Sequence, residues 1–97
     1  MVTDAQFAVL FKEAGMRVTE VARILSLSRV TISTWKNQGL PKTFMPEDLT
    51  RVTNLIKLVE FSLQQNLLPL ADDVTGKQRL NNFISILKQS HKILQTI

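Results

Sequence analysis

VTEVARILSLSRVTISTWKN, Val18 to Asn37, carries two short apolar stripes separated by a tight turn. Thr19 can cap a helix over Glu20 to Leu25, whose Val21, Ala22 and Leu25 recur at helical spacing. Ser26, Leu27 and Ser28 form the turn, and Ser28 caps a second helix over Arg29 to Gln38 that Gly39 ends. Two helices that cross steeply over so short a turn need a small side chain at the point of contact, which Ala22 supplies. Val21, Leu25, Leu27, Ile32 and Trp35 take the inward positions, and Trp35, three residues after Ile32, reads as core. Arg29, Thr31, Ser33, Thr34, Lys36 and Asn37 are left outward. The turn position often held by glycine is Ser26, where a left-handed backbone costs about 1 kcal/mol. The pattern is that of a helix-turn-helix.

Working outward, Thr3 or Asp4 can cap a first helix through Lys12 and Ala14, with Gly15 as a left-handed stop. Downstream, Leu40-Pro41-Lys42 makes a loop, and Pro46 suits a first helical position followed by Glu47 and Asp48. A long helix is expected to about Asn66, with Leu49, Val52, Ile56, Val59 and Leu63 stepping by three and four in a heptad-like seam that Leu55, Leu58 and Phe61 widen. Leu67 to Val74, with Pro69 and the Asp72-Asp73 pair, is a connection. Thr75 caps a last helix bearing Leu80, Phe83, Ile84, Leu87 and Leu94, with Ile86, Ile93 and Ile97 on a second strip.

No stretch alternates as a strand does, so the expected fold is all-α: a helix-turn-helix module over residues 1–45, then a helical oligomerisation region over residues 46–97. The long helices carry more apolar surface than a chain of 97 residues easily covers. They either pack on the N-terminal module or join copies of the chain. The expectation is self-association to a homodimer or homotetramer through Val52, Ile56, Val59, Leu63, Phe83 and Leu87.

Length and composition narrow the function classes. At 11.0 kDa the chain is one domain, or one small module with an oligomerisation element, which leaves no room for a two-domain enzyme. Hydrophobic residues at 44% and charged residues at 21% are those of a folding chain. Without cysteine there is no disulfide, thiolate nucleophile or Cys-ligated zinc, and the composition suits a reducing cytoplasm. The single histidine, His91, sits between Ser90 and Lys92 with no second ligand at metal spacing. There is no Gly-rich phosphate loop and no nucleophile-base arrangement, so neither an enzyme nor a cofactor or metal protein is expected. The apolar runs fall short of the roughly 18 residues a spanning helix needs, and acidic residues near the start do not fit a secretory signal. The expected location is the cytoplasm.

The net charge is +4 and the pI about 9.9, which favours a polyanionic partner. Residues 16–45 hold Arg17, Arg23, Arg29, Lys36 and Lys42 against Glu20 alone, while the remaining charges cancel. All of the net charge therefore surrounds the two short helices. If the second of them enters a major groove of double-stranded DNA, Arg29 is the first candidate for a base contact, since a guanidinium can bond guanine O6 and N7 together. Ser28, Thr31, Ser33 and Thr34 can meet bases or phosphates, and Val30 can pack on a thymine methyl. Lys36, Asn37 and Lys42 suit phosphates, as do Arg17 and Thr19 at the start of the first motif helix.

SLSRVTISTWKNQGLPK, residues 26–42, resembles phage and bacterial helix-turn-helix regulators and is most similar to the lysogeny-activator family of lambdoid phages. In that family a similar Ser-Arg-Trp-Lys recognition helix leads through a Pro-Lys loop into C-terminal oligomerisation helices. The resemblance covers about residues 16–45, with only layout and length matching beyond. It implies tetramers that bind direct repeats and activate promoters in the cytoplasm of a bacterium or of a phage-infected host, and the Asp72-Asp73 pair could touch RNA polymerase as a further partner. The competing reading is a helix-turn-helix adaptor or anti-activator that binds another protein through its C-terminal helices. The cationic segment discriminates, because a protein-only scaffold has no reason to gather charge around that second helix.

Overall fold

Hydrogen bonds at the helix ends set the element boundaries. In the computed structural model, which describes residues 2–71 and 73–96, the order is α1 (Asp4–Lys12), α2 (Val18–Leu25), α3 (Arg29–Gln38), α4 (Pro46–Gln64) and α5 (Lys77–Thr96). Among the described residues there is no strand, and the chain is all-α. Asp72, the first residue of the loop acid pair, and Ile97 of the second strip on the last helix lie outside the described residues.

Thr3 caps α1 reciprocally: its Oγ1 accepts from the Gln6 amide at 3.1 Å, and its own amide donates to Gln6 Oε1 at 2.9 Å. Gly15 then takes φ +71°, as a left-handed stop requires. Thr19 is not the cap of α2, because the helix begins one residue before it, at Val18. The first turn is closed by Glu20, whose Oε1 accepts from the Arg17 amide at 2.8 Å. Ser26 adopts φ 57° and ψ 39°, the left-handed conformation expected at the turn. Ser28 caps α3 by accepting the Thr31 amide at 3.1 Å. Pro46 occupies the first turn of α4. Thr75 is separated from α5 by Gly76, at φ +59°, so the last helix starts at Lys77.

Phe7 and Leu10 of α1, Val21, Ala22 and Leu25 of α2, Ile32 of α3, Val52, Leu55, Ile56 and Val59 of α4, and Phe83 and Leu87 of α5 are buried in one cluster. The core is continuous across position 45, so the N-terminal module and the long helices do not divide as separate packing units. This corrects the oligomerisation expectation for Val52, Val59 and Phe83 (0% exposed), Ile56 (3%) and Leu87 (7%), which the chain buries within itself. Leu63 is half-buried against the same cluster. The reason is geometric: α4 packs against α1, α2 and α5, so its heptad seam meets partners from its own chain. The radius of gyration, 12.9 Å, is close to the roughly 12.5 Å expected of a folded single chain of this length.

Polar contacts brace this packing. Ser62 and Ser90 are fully buried where α4 meets α5, with their hydroxyls 2.6 Å apart and Ser62 also donating to the Leu58 carbonyl at 2.7 Å. Arg79 of α5 binds Glu20 of α2 through Nε at 2.9 Å and Nη2 at 3.2 Å, and donates to the Gly15 carbonyl at 2.7 Å. Its guanidinium lies 5.5 Å from the centre of the Phe83 ring. No described helix is long and apolar enough to cross a membrane.

Candidate nucleic-acid interface

The face of α3 opposite Ile32 is built by helical arithmetic. Residues 30, 33, 34, 37 and 38 recur at intervals of three and four and share one side, while Ile32 is buried on the other. That side meets the start of α2. Val18, Thr19, Arg29, Val30, Ser33, Thr34, Asn37 and Gln38 line one shallow open depression of 430 Å³. None of these residues carries a carboxylate.

Five of the residues singled out from sequence, Arg29, Val30, Ser33, Thr34 and Asn37, thus converge on α3 and a sixth, Thr19, joins them from α2. Arg29 and Thr34 are exposed, and Val30 is 76% exposed, the most open of the large apolar side chains among the described residues. Ser33 and Asn37 are tied together, with Asn37 Nδ2 donating to Ser33 Oγ at 3.3 Å. Val18 and Gln38 were not among the sequence candidates. The signal for Gln38 was its place four residues after Thr34 on the same side of the helix.

The other candidates lie around this depression rather than in it. Ser28 and Thr31 face each other across the first turn, their hydroxyl oxygens 2.8 Å apart, with Ser28 committed to the cap. Lys36 points to the flank, where its ammonium sits 5.0 Å from the centre of the Phe11 ring. Arg17 and Lys42 are exposed, before α2 and after α3 respectively.

Three features hold α3 in place. Trp35 is half-buried rather than fully enclosed, packed edge-on between Phe7 at 6.0 Å and Phe44 at 5.2 Å, so its ring is not a free stacking platform. Asp4 of α1 accepts the Leu40 amide at 2.9 Å and pins the chain just after α3. Gly39 passes close to the same carboxylate, where a Cβ would lie 3.2 Å from Asp4 Oδ2, and its φ of +100° suits only glycine without strain.

The electrostatics of the segment are sharper than its sequence charge. Glu20, its one acid, is 6% exposed and neutralised by Arg79 from α5. Arg17, Arg23, Arg29, Lys36 and Lys42 are all exposed, and none is ion-paired among the described residues. Likewise among the described residues, no group of three His, Asp or Glu side chains could hold a metal ion. Comparison of the chain with protein-family models, with curated proteins and with solved structures finds no match.

Proposed function

We propose that this chain is a sequence-specific double-stranded DNA-binding transcriptional regulator that acts as a homo-oligomer and inserts α3 into a major groove, in the manner of the helix-turn-helix regulators it resembles. The observation that carries the reading is the first turn of α3. Arg29 and Val30 stand exposed side by side on an acid-free depression, among cations that no carboxylate neutralises among the described residues. Val30, 76% exposed, buries little of itself in the fold, whereas beside a guanidinium at a helix N-terminus a valine suits a thymine methyl next to a guanine. Arg17, Lys36 and Lys42 surround the helix at positions suited to phosphates.

A single such module buries too little surface for useful affinity, which favours two or more copies on spaced half-sites. The accessible surface of 6539 Å² exceeds by roughly 900 Å² that of a compact monomer of this mass. That excess is close to the ~800 Å² each partner contributes to a standard interface. With the seam of α4 consumed internally, the proposed self-association surface is the C-terminal end of α5, where Leu94, in line with the buried Phe83 and Leu87, is 39% exposed.

Fluorescence anisotropy with a labelled cognate duplex tests the reading. Arg29→Ala should weaken specific binding by about 1–3 kcal/mol and relax the preference at one base pair. Lys42→Ala should weaken all duplexes alike and lower the salt slope by about one. Unchanged specific affinity in Arg29→Ala would remove α3 from the base-reading role.

A further inference from the structure

On a different part of the molecule, α2, α4 and α5 enclose an open groove of 990 Å³. Its floor is apolar, built from Ile24, Leu25, Leu55, Leu58, Ile84 and Leu87. Its rim is cationic, with Arg23, Arg51, Lys88 and Lys92, and His91 beside them. No carboxylate lines it, and the only ion pair among the described residues is Arg79 with Glu20, so none of the four rim cations is neutralised by the chain. Arg51 makes one long contact, Nη1 to the Leu25 carbonyl at 3.5 Å.

We propose that this groove is a docking site for an acidic amphipathic helix of a second protein. Size and charge both point to that occupant. Along α5 the lining runs from Ile84 to Lys92, about 12 Å of helix axis. A partner helix of that length and about 10–12 Å diameter displaces roughly 1,000 Å³, matching the groove. Its apolar stripe covers the leucine and isoleucine floor, and its Asp or Glu side chains flank the stripe to meet Arg23, Arg51, Lys88 and Lys92. A second copy of this chain docking symmetrically would set those four cations against themselves, which disfavours it.

The test is a displayed library of helical peptides with leucine fixed at i, i+4 and i+7 and all other positions random, sorted on the full chain at about 0.15 M salt. The enriched peptides should carry Asp or Glu beside the apolar stripe. They should bind the Lys88→Glu/Lys92→Glu chain at least about tenfold more weakly, a loss of about 1.4 kcal/mol. Lys88 and Lys92 are exposed, so the doubly reversed chain should keep its helical circular dichroism. Ile84→Ser, which removes part of the floor and leaves the rim intact, should weaken the same peptides. The proposal is overturned if no peptide enriches, if the enriched peptides show no acidic bias, or if they bind the charge-reversed chain equally well. It is overturned too if acidic peptides fail while charge reversal abolishes duplex binding, which makes the rim a phosphate contact, or abolishes self-association, which makes the groove an interface between copies.

Discussion

Removing Arg79 should destabilise the fold by more than any other single change at the surface, and the structure supplies the magnitude. The guanidinium holds Glu20 through two hydrogen bonds, at 2.9 and 3.2 Å, and satisfies the Gly15 carbonyl at 2.7 Å. The paired side chains are 13% and 8% exposed. Stripping the partner from a fully buried charge costs about 3–5 kcal/mol, and here limited water access lowers that to about 2–3 kcal/mol for Arg79→Met. That is a substantial part of the roughly 5–15 kcal/mol that holds a small domain together. Glu20→Gln keeps an acceptor for the Arg17 amide and should cost about 1–2 kcal/mol. The double variant should lose about 1–2 kcal/mol less than the sum of the two, because the orphaned charge is then gone. Urea unfolding followed by helical circular dichroism, with an unchanged m-value, reads all three. Additivity within about 0.5 kcal/mol, or a cost for Arg79→Met below that figure, would refute the claim that this pair clamps α5 to α2.

Ile56→Glu should unfold the isolated chain rather than merely dissociate an oligomer, since Ile56 is 3% exposed; a folded monomer by circular dichroism and light scattering would return α4 to the interface. Ser26→Gly relieves a left-handed serine whose side chain makes no hydrogen bond, and should add about 1 kcal/mol, raising Tm by roughly 4 °C or more in calorimetry. Ser90→Ala should cost about 0.5–1.5 kcal/mol in urea unfolding, because Ser62 keeps its bond to the Leu58 carbonyl. Ser62→Ala/Ser90→Ala should cost little more, as neither hydroxyl is then left unpaired.

The local features of this fold were legible because single residues specify them. Ser28 as cap, Gly15 and Gly39 as stops, Pro46 in a first turn and the left-handed Ser26 all stand where residue chemistry placed them. What escaped was partner choice. The repeat through Val52, Ile56 and Val59 states that α4 buries one side, and a period of three and four does not say whether the covering surface comes from the same chain or another. The salt bridge from Glu20 to Arg79 joins residues 59 apart, with no local pattern to announce it. Thr19 and Thr75 had the right chemistry for caps but the wrong register by one or two residues, since Glu20 closes α2 from inside and Gly76 intervenes before α5. Leu68, in the connection after α4, is buried at 4% exposure although nothing periodic marks it.

For the candidate interface, the face of α3 followed from its own spacing, while the roles within it needed coordinates. Arg29, Val30 and Thr34 are open on that face, whereas Ser28 is spent on the cap and Lys36 turns to Phe11. The acid-free character of the region was only half visible. Glu20 reads as a charge within the basic segment until Arg79 is found covering it.

The most direct test of the central claim is selection of bound duplexes from random DNA, run in parallel with the unaltered chain and Arg29→Glu at about 0.15 M salt, where weak non-specific binding is screened. The unaltered chain should enrich a recurring motif with repeated half-sites, and Arg29→Glu should lose it. Equal enrichment of the same motif by both proteins, or no enrichment by either, would contradict the insertion of α3 into the major groove as the basis of recognition.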